Sequence, residues 1–96
     1  MGSGLDRKYR SRIGILYDIL RAIYTSETAA ITTIIMEANI PHNRLKKIIN
    51  SLLREGYITE KEIDGTIIYK LTPKGYRLMK DLERLKGLLE GLGLGI

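Results

Sequence analysis

The amino-acid sequence predicts a mainly α-helical fold with one β-hairpin (α+β), in a single domain. Apolar residues recur at helical spacing through the first half of the chain and again near its end. Between these regions the spacing alternates around an Asp64-Gly65 pair, which is typical of a hairpin turn. The 96 residues are enough for one core of modest size and too few for two.

The charge balance of the chain is basic, with 16 Lys and Arg against 11 Asp and Glu and a net charge of +5. Such an excess indicates an anionic partner. The sequence has no cysteine and one histidine, which excludes disulfide scaffolds, zinc fingers and thiol nucleophiles. We therefore expect no metal and no cofactor. No unbroken apolar run is longer than residues 34–36, whereas a membrane span needs about 20 residues, so we expect a cytoplasmic protein without a membrane partner.

The first predicted helix covers residues 9–25. Its apolar residues fall into two neighbouring stripes at helical spacing and leave only a narrow polar row. A helix that is apolar around so much of its circumference must be covered on more than one side. We expect Ile15 and Ile19, which belong to the second stripe, to face a second subunit.

The segment after this helix has the signals of a helix-turn-helix unit. We expect a short strand at Ile31 and then a short helix, with Thr32 as its N-cap and Asn39 in the left-handed turn that ends it. Pro41 is suited to fix the start of a longer helix, which stops at Gly56.

Asp64-Gly65 is a strong signal for a two-residue hairpin, because both positions of the turn need a positive φ. The two strands are predicted at residues 57–63 and 66–71. Pairing outward from the turn places Ile58 opposite Leu71 on one face, with Tyr69 and Ile67 alongside.

The last predicted helix begins at Thr72-Pro73, a pair suited to cap and start it. Its leucines are spaced four, three, four and three residues apart, which is the heptad pattern of a helix that pairs with another helix. These leucines are Leu78, Leu82, Leu85, Leu89 and Leu92. One interpretation is that they pack only on the first helix of the same chain. We favour a homodimer, built from these leucines and the second stripe of the first helix.

Three short motifs follow one another in the order of a winged-helix protein. They are EANI at residues 37–40 in the turn, LLREGYI at residues 52–58 where the longer helix meets the first strand, and YKLTPKG at residues 69–75 where the second strand meets the last helix. Together they resemble the small archaeal winged-helix DNA-binding proteins, which include predicted transcription regulators and chromatin-type proteins. The resemblance implies a winged helix-turn-helix with a C-terminal dimerisation helix that pairs as an antiparallel coiled coil.

On this basis the chain divides into three parts. They are a flexible basic N-terminus, a winged-helix domain, and a dimerisation helix with a Gly-rich tail, at residues 1–8, 9–75 and 76–96 respectively.

The longer helix of the helix-turn-helix unit carries apolar residues on one side and a mixture of cations and amides on the other. Lys and Arg neutralise phosphates, and Asn bonds adenine edges in the major groove. We predict that the polar side contacts DNA through His42, Asn43, Arg44, Lys46, Lys47, Asn50 and Arg54. The alternative is a solvated face that serves only solubility, although this side carries no acidic residue before Glu55.

A basic segment at the N-terminus resembles an arm that lies on phosphates or reaches a minor groove. We assign Arg10 and Arg12 to this arm. The alternative is an ordinary disordered tail.

The hairpin, or wing, departs from the pattern of DNA-contacting wings, which usually carry Arg or Lys at the tip. This wing has the three carboxylates of Glu60, Glu62 and Asp64 and a single cation, Lys61. Carboxylates are repelled by phosphates, so we expect a structural wing with at most a minor contact from Lys61. The acidic wing also leaves open a winged helix that binds protein.

The sequence thus predicts a dimeric protein that binds double-stranded DNA, either as a transcription regulator or as a chromatin-organising factor associated with the nucleoid. The alternative is a protein-interaction module within a larger complex. An enzyme is not expected, because the sequence offers no paired carboxylates in a cleft, no Gly-rich phosphate loop and no nucleophile with a base. We predict no catalytic residue and no small-molecule ligand.

Overall fold

The computed structural model describes residues 11–94, which form four α-helices and one two-stranded antiparallel sheet. In chain order the elements are α1 (Arg12–Thr25), α2 (Ile31–Ala38), α3 (His42–Arg54), β1 (Ile58–Ile63), β2 (Thr66–Leu71) and α4 (Pro73–Gly91). The mainly helical α+β fold predicted from the sequence is confirmed. Residues 9 and 10, with which the first helix was expected to begin, lie outside the described residues.

One apolar cluster, to which every element contributes, forms the core of the described chain. Helix α1 lies at its centre, since it packs against α2, β2 and α4. The second apolar stripe, to which Ile15 and Ile19 belong, is therefore covered by its own chain. The expectation that Ile15 and Ile19 face a second subunit is wrong, because Ile15 is 5% and Ile19 0% exposed within a single chain.

The segment between α1 and α2 forms a single antiparallel β-bridge with the wing. The amide of Tyr69 donates to the carbonyl of Ala29 over 2.8 Å, so the strand-like contact forms at Ala29. The predictions of a strand at Ile31 and of an N-cap at Thr32 are wrong, because α2 begins at Ile31 with Ala30 as its N-cap. Because α2 begins at Ile31, one residue before the predicted cap, Ile31 lies on the same helix face as Ile34 and Ile35. This face packs against the core.

The hairpin has the predicted register, with Ile58 paired to Leu71. Asp64-Gly65 forms the turn with φ values of 52° and 79°, as a type I′ turn requires. Ile67 shares a face with Leu71 but is exposed. Ile68, on the opposite face, is buried instead.

A close contact joins the start of α4 to the segment that follows α3. Thr72 caps α4 as predicted, since its hydroxyl accepts from the amide of Gly75 over 3.1 Å. The same hydroxyl donates to the carbonyl of Gly56 over 2.7 Å, and the Thr72 amide donates to the carbonyl of Tyr57 over 3.1 Å. Gly75 lies so close to the Tyr57 carbonyl that a side chain there would collide with it.

A polar cluster holds α4 against α1. The hydroxyl of Tyr17 donates to Oε2 of Glu83 over 3.1 Å, and the guanidinium of Arg21 lies 3.9 Å from the same oxygen. Lys80 Nζ donates to Oε1 of Glu83 over 2.8 Å. The hydrogen bond from Lys80, and after it the one from Tyr17, holds the pKa of the Glu83 carboxyl below its ordinary value.

Candidate nucleic-acid interface

Helix α3 turns one side to the core and the other to solvent. Leu45, Ile49 and Leu52 lie on the inner side and are no more than 5% exposed. Every residue predicted for the outer side is exposed. These residues are His42, Asn43, Arg44, Lys46, Lys47, Asn50 and Arg54. The structure therefore brings them together on one accessible face.

All charged residues on the outer side of α3 are basic, with four Lys and Arg residues and no carboxylate between residues 42 and 54. No ion pair within residues 11–94 engages Arg44, Lys46 or Lys47. Arg54 differs, because its Nε lies 3.7 Å from the carboxylate of Glu55. The unpaired positive charge is therefore concentrated in the N-terminal half of the helix.

A left-handed residue and a proline set the direction in which the chain enters α3. Asn39 ends α2 with a φ of 53°, and its amide donates to the carbonyl of Ile35 over 2.9 Å. Pro41 follows as the N-cap of α3 with a φ of −61°. Both features agree with the sequence prediction. No side chain in the described part of the chain caps the first turn of α3, so the N–H groups of that turn favour an anion.

Lys74 fixes the other end of α3, a role that the sequence pattern did not assign to it. Its Nζ donates to the carbonyl of Glu55 over 2.8 Å and lies 4.5 Å from the ring centroid of Tyr57. A cation at the carboxyl end of a helix interacts favourably with the last carbonyls. Its place in the YKLTPKG motif was the signal that pointed to it.

The wing exposes its carboxylates to solvent. Glu60, Glu62 and Asp64 are exposed, and no ion pair within residues 11–94 neutralises them. Burial, and after it the neighbouring carboxylate of Glu60, raises the pKa of the Tyr69 hydroxyl. A structural wing with at most a minor contact from Lys61 stays a prediction.

The predicted basic arm is described only at its last residue. Arg12 is exposed at the start of α1 and lines one cavity together with Arg44 and Lys47 of α3. Arg10 lies outside the described residues, so its contact with DNA stays a prediction.

The leucines of α4 divide into two groups. Leu78 and Leu82 pack against the core of their own chain, and Leu89 is half-buried. The other group is exposed by 36% at Leu85, 62% at Leu88 and 71% at Leu92. Leu88 was missing from the predicted stripe, although its spacing of three and four residues from its exposed neighbours was a signal for it. The distal part of α4 and its C-cap Leu92 therefore carry an apolar stripe that the described chain leaves uncovered.

The described part of the chain contains neither a metal-binding cluster nor a membrane-spanning helix. Between residues 11 and 94, no three His, Cys, Asp or Glu side chains are grouped so that they could hold a metal ion. In that same part of the chain, no helix is both long enough and apolar enough to cross a bilayer.

The same arrangement of elements occurs in known proteins. The DNA-binding protein Sso10a-2 from Sulfolobus solfataricus is 30% identical in sequence, with a TM-score of 0.76 over 86% of this chain and 85% of that chain. AF1382 from Archaeoglobus fulgidus is 19% identical, with a TM-score of 0.70 over 90% of this chain and 97% of that chain. SSV1 F-93 is 16% identical, with a TM-score of 0.65 over 88% of this chain and 94% of that chain.

At these lower identities, the similarity to AF1382 and F-93 shows only that the fold is shared. No curated protein matches the sequence. A family model described as a winged helix-turn-helix matches residues 9–90, which is most of the chain. With its helix-turn-helix, its hairpin and its final helix in this order, the chain belongs to the winged helix-turn-helix family.

Proposed function

We propose that the protein binds double-stranded DNA through the outer side of α3, as a non-catalytic transcription regulator or chromatin-organising factor. The observation that carries the proposal is the exposed, unpaired positive charge at Arg44, Lys46 and Lys47, on the second helix of the helix-turn-helix unit. In this motif the N-terminal residues of the second helix reach base edges in the major groove. The description of Sso10a-2, 30% identical, as a DNA-binding protein supports the same conclusion.

The residues of the outer side divide into two roles by their chemistry. Arg44, Lys46 and Lys47 carry the charge that neutralises phosphates, which positions the helix without reading sequence. Asn43 and Asn50 carry amides, which can pair in bidentate fashion with adenine. A regulator needs this second role and discriminates its operator from other DNA by about 10³ or more, whereas a chromatin-organising factor binds most sequences alike.

Replacing Lys47 with alanine tests the phosphate role. We expect Lys47→Ala to weaken binding to all duplexes alike and to lower the slope of log affinity against log salt by about 1, because one phosphate contact is lost. The measurement is fluorescence anisotropy of a labelled mixed-sequence duplex, titrated at several salt concentrations.

The matched control is Lys70→Ala, which removes the same charge from β2. Lys70 lines a different groove, beside Tyr24 and Tyr76, to which α3 contributes no residue. We expect Lys70→Ala to leave the salt slope unchanged. Equal effects of the two substitutions would contradict the assignment to α3. Binding no tighter than about 100 µM at low salt would favour the alternative of a protein-interaction module, with its acidic wing at the interface.

We further propose a homodimer formed by the distal part of α4. Leu85, Leu88 and Leu92 form an exposed apolar stripe beyond the point where α4 leaves its own core. Two copies that pair these stripes would cover them, as in a coiled coil. A two-fold dimer holds two α3 helices at a fixed separation, and half-sites about one turn of DNA apart (~34 Å) could then be read together.

Leu88→Glu is expected to convert the dimer into a monomer, because a carboxylate would be buried in the paired stripe without a partner. Sedimentation equilibrium should give close to twice the 10.9 kDa chain mass for the unaltered protein and close to the chain mass for the variant. The control is Gly87→Glu, which adds the same charge one residue away, where a Cβ meets nothing within 4 Å. A dimer that persists in Leu88→Glu would rule out this stripe as the interface.

A further inference from the structure

A cavity of about 540 Å³ lies between the start of α1 and the outer flank of α3. Small-molecule sites occupy roughly 300–1,000 Å³. The floor of the cavity is aliphatic, formed by Ile15 and Leu16 of α1 and by Ile48 and Leu52 of α3. Ile15 and Leu52 are buried, whereas Leu16 and Ile48 are half-buried and expose apolar surface to the cavity. The floor suits a small hydrocarbon body.

The polar groups around this floor are cationic. Arg12, Arg44 and Lys47 line the cavity, and none of them forms an ion pair within residues 11–94. Among the residues that the structure describes, no acidic residue lines it. The hydroxyl of Ser51, also part of the lining, donates to the carbonyl of Lys47 over 3.2 Å and is already satisfied. Charge recognition in this cavity therefore rests on the three cations.

An occupant must match both features at once. A DNA phosphate would satisfy the cations and leave the aliphatic floor against a hydrated backbone. The sequence of residues 1–10 carries a net positive charge, which does not complement the cations. A small organic anion, with an apolar ring or chain and one carboxylate, would cover the floor and pair with the cations at once.

We propose that the groove between α1 and α3 binds a small amphipathic anion, with its hydrocarbon body on Ile15, Leu16 and Ile48 and its carboxylate at Arg44 and Lys47. Both cations belong to the surface assigned to DNA, so a bound anion and DNA compete for them. This competition rests on the proposed function, whereas anion binding does not. The protein would then release DNA in response to a hydrophobic acid.

The direct test uses 2-naphthoate as the probe and its neutral amide, 2-naphthamide, as the comparison, without DNA present. Methyl NMR spectra should show shifts at Ile15, Leu16 and Ile48 as naphthoate is added. Naphthoate should bind at least ~10-fold more tightly than the amide, because a charged hydrogen bond is worth more than a neutral one. Equal affinities, or shifts confined to the exposed leucines of α4, would overturn the assignment.

Two variants distinguish anion binding in the groove from a general effect of net charge. Arg44→Gln should weaken naphthoate binding ~10-fold and leave naphthamide binding unchanged. Arg84→Gln removes the same charge from the exposed surface of α4, where Arg84 pairs with Asp81, and should change neither affinity. Both arginines are exposed, so both variants are expected to fold. Equal losses from the two variants would show that the anion is held by net charge and not by the groove.

The competition is measured separately, by anisotropy of a bound duplex. Saturating naphthoate should release the duplex, whereas naphthamide at the same concentration should not. If naphthoate binds the groove and DNA affinity stays unchanged, the competition is overturned. If the protein binds no duplex at all, the proposed function fails, while the NMR titration still decides whether the groove takes the anion.

Discussion

Gly75→Ala is expected to destabilise the protein by about 3 kcal/mol, which corresponds to a fall of roughly 15 °C in Tm for a domain of this size. A Cβ at this position would collide with the backbone carbonyl of Tyr57, and a backbone atom cannot move aside as the end of a flexible side chain can. The start of α4 would have to shift away from the segment after α3. That shift would stretch the hydrogen bonds from Thr72 to Gly56 and Tyr57.

The matched control is Gly87→Ala, the same substitution in the same helix. A Cβ at Gly87 meets nothing within 4 Å, and alanine favours a helix interior over glycine by about 1 kcal/mol. We therefore expect Gly87→Ala to raise Tm by several degrees. Thermal unfolding followed by circular dichroism measures both variants. The two substitutions must change Tm in opposite directions. An unchanged Tm in Gly75→Ala would mean that α4 does not lie against the Tyr57 carbonyl.

Ile19→Ala is expected to cost about 2–5 kcal/mol of unfolding free energy, because it opens a cavity at the centre of the core. Ile19 is 0% exposed and is among the largest fully buried side chains of the described chain. Urea unfolding at matched protein concentration measures the loss. The folded fraction of the variant should keep the association state of the unaltered protein, since the side chain does not reach the surface.

Ile13→Ala provides the control on the same helix. Ile13 is 37% exposed, so its truncation should change stability by less than about 1 kcal/mol. A folded Ile19→Ala variant that has lost only its self-association would place Ile19 at a subunit interface after all. The two variants thus separate the core from the surface of α1.

Features governed by a few neighbouring residues could be predicted from the sequence. The left-handed Asn39, the Asp64-Gly65 turn and the Thr72 cap each depend on local backbone preferences. The hairpin register followed from its turn, because a two-residue loop fixes which residues oppose one another. The exposed face of α3 followed from helical periodicity in the same way.

Features that depend on distant contacts could not be predicted in this way. The bridge from Ala29 to Tyr69 joins residues far apart in the sequence, and α2 begins soon after it, at Ile31. The second stripe of α1 indicated a subunit interface because the sequence alone does not place α2, the wing and α4, which pack against α1. Which leucines of α4 stay exposed depends on how that helix docks, so Leu88 was missed.

The cavity between α1 and α3 lay beyond sequence analysis for the same reason. Its floor combines Ile15 with Ile48, which come from helices separated by the whole of α2. From the sequence, Ile15 was expected at a subunit interface, and Ile48 belongs to the apolar side of α3. Only their juxtaposition in the folded chain shows an aliphatic floor beside cations.

Hydrogen bonds from Thr72 and Lys74 link the start of α4 to the end of α3 and the residue that follows it. These bonds fix the orientation of α4 relative to α3. In the proposed dimer, a shift of one α4 along its partner by one heptad would change the distance between the two α3 helices by about 10 Å. That is close to three base pairs. In this proposed dimer, the stretch of α4 from Leu85 onward would therefore set the spacing of the two DNA half-sites.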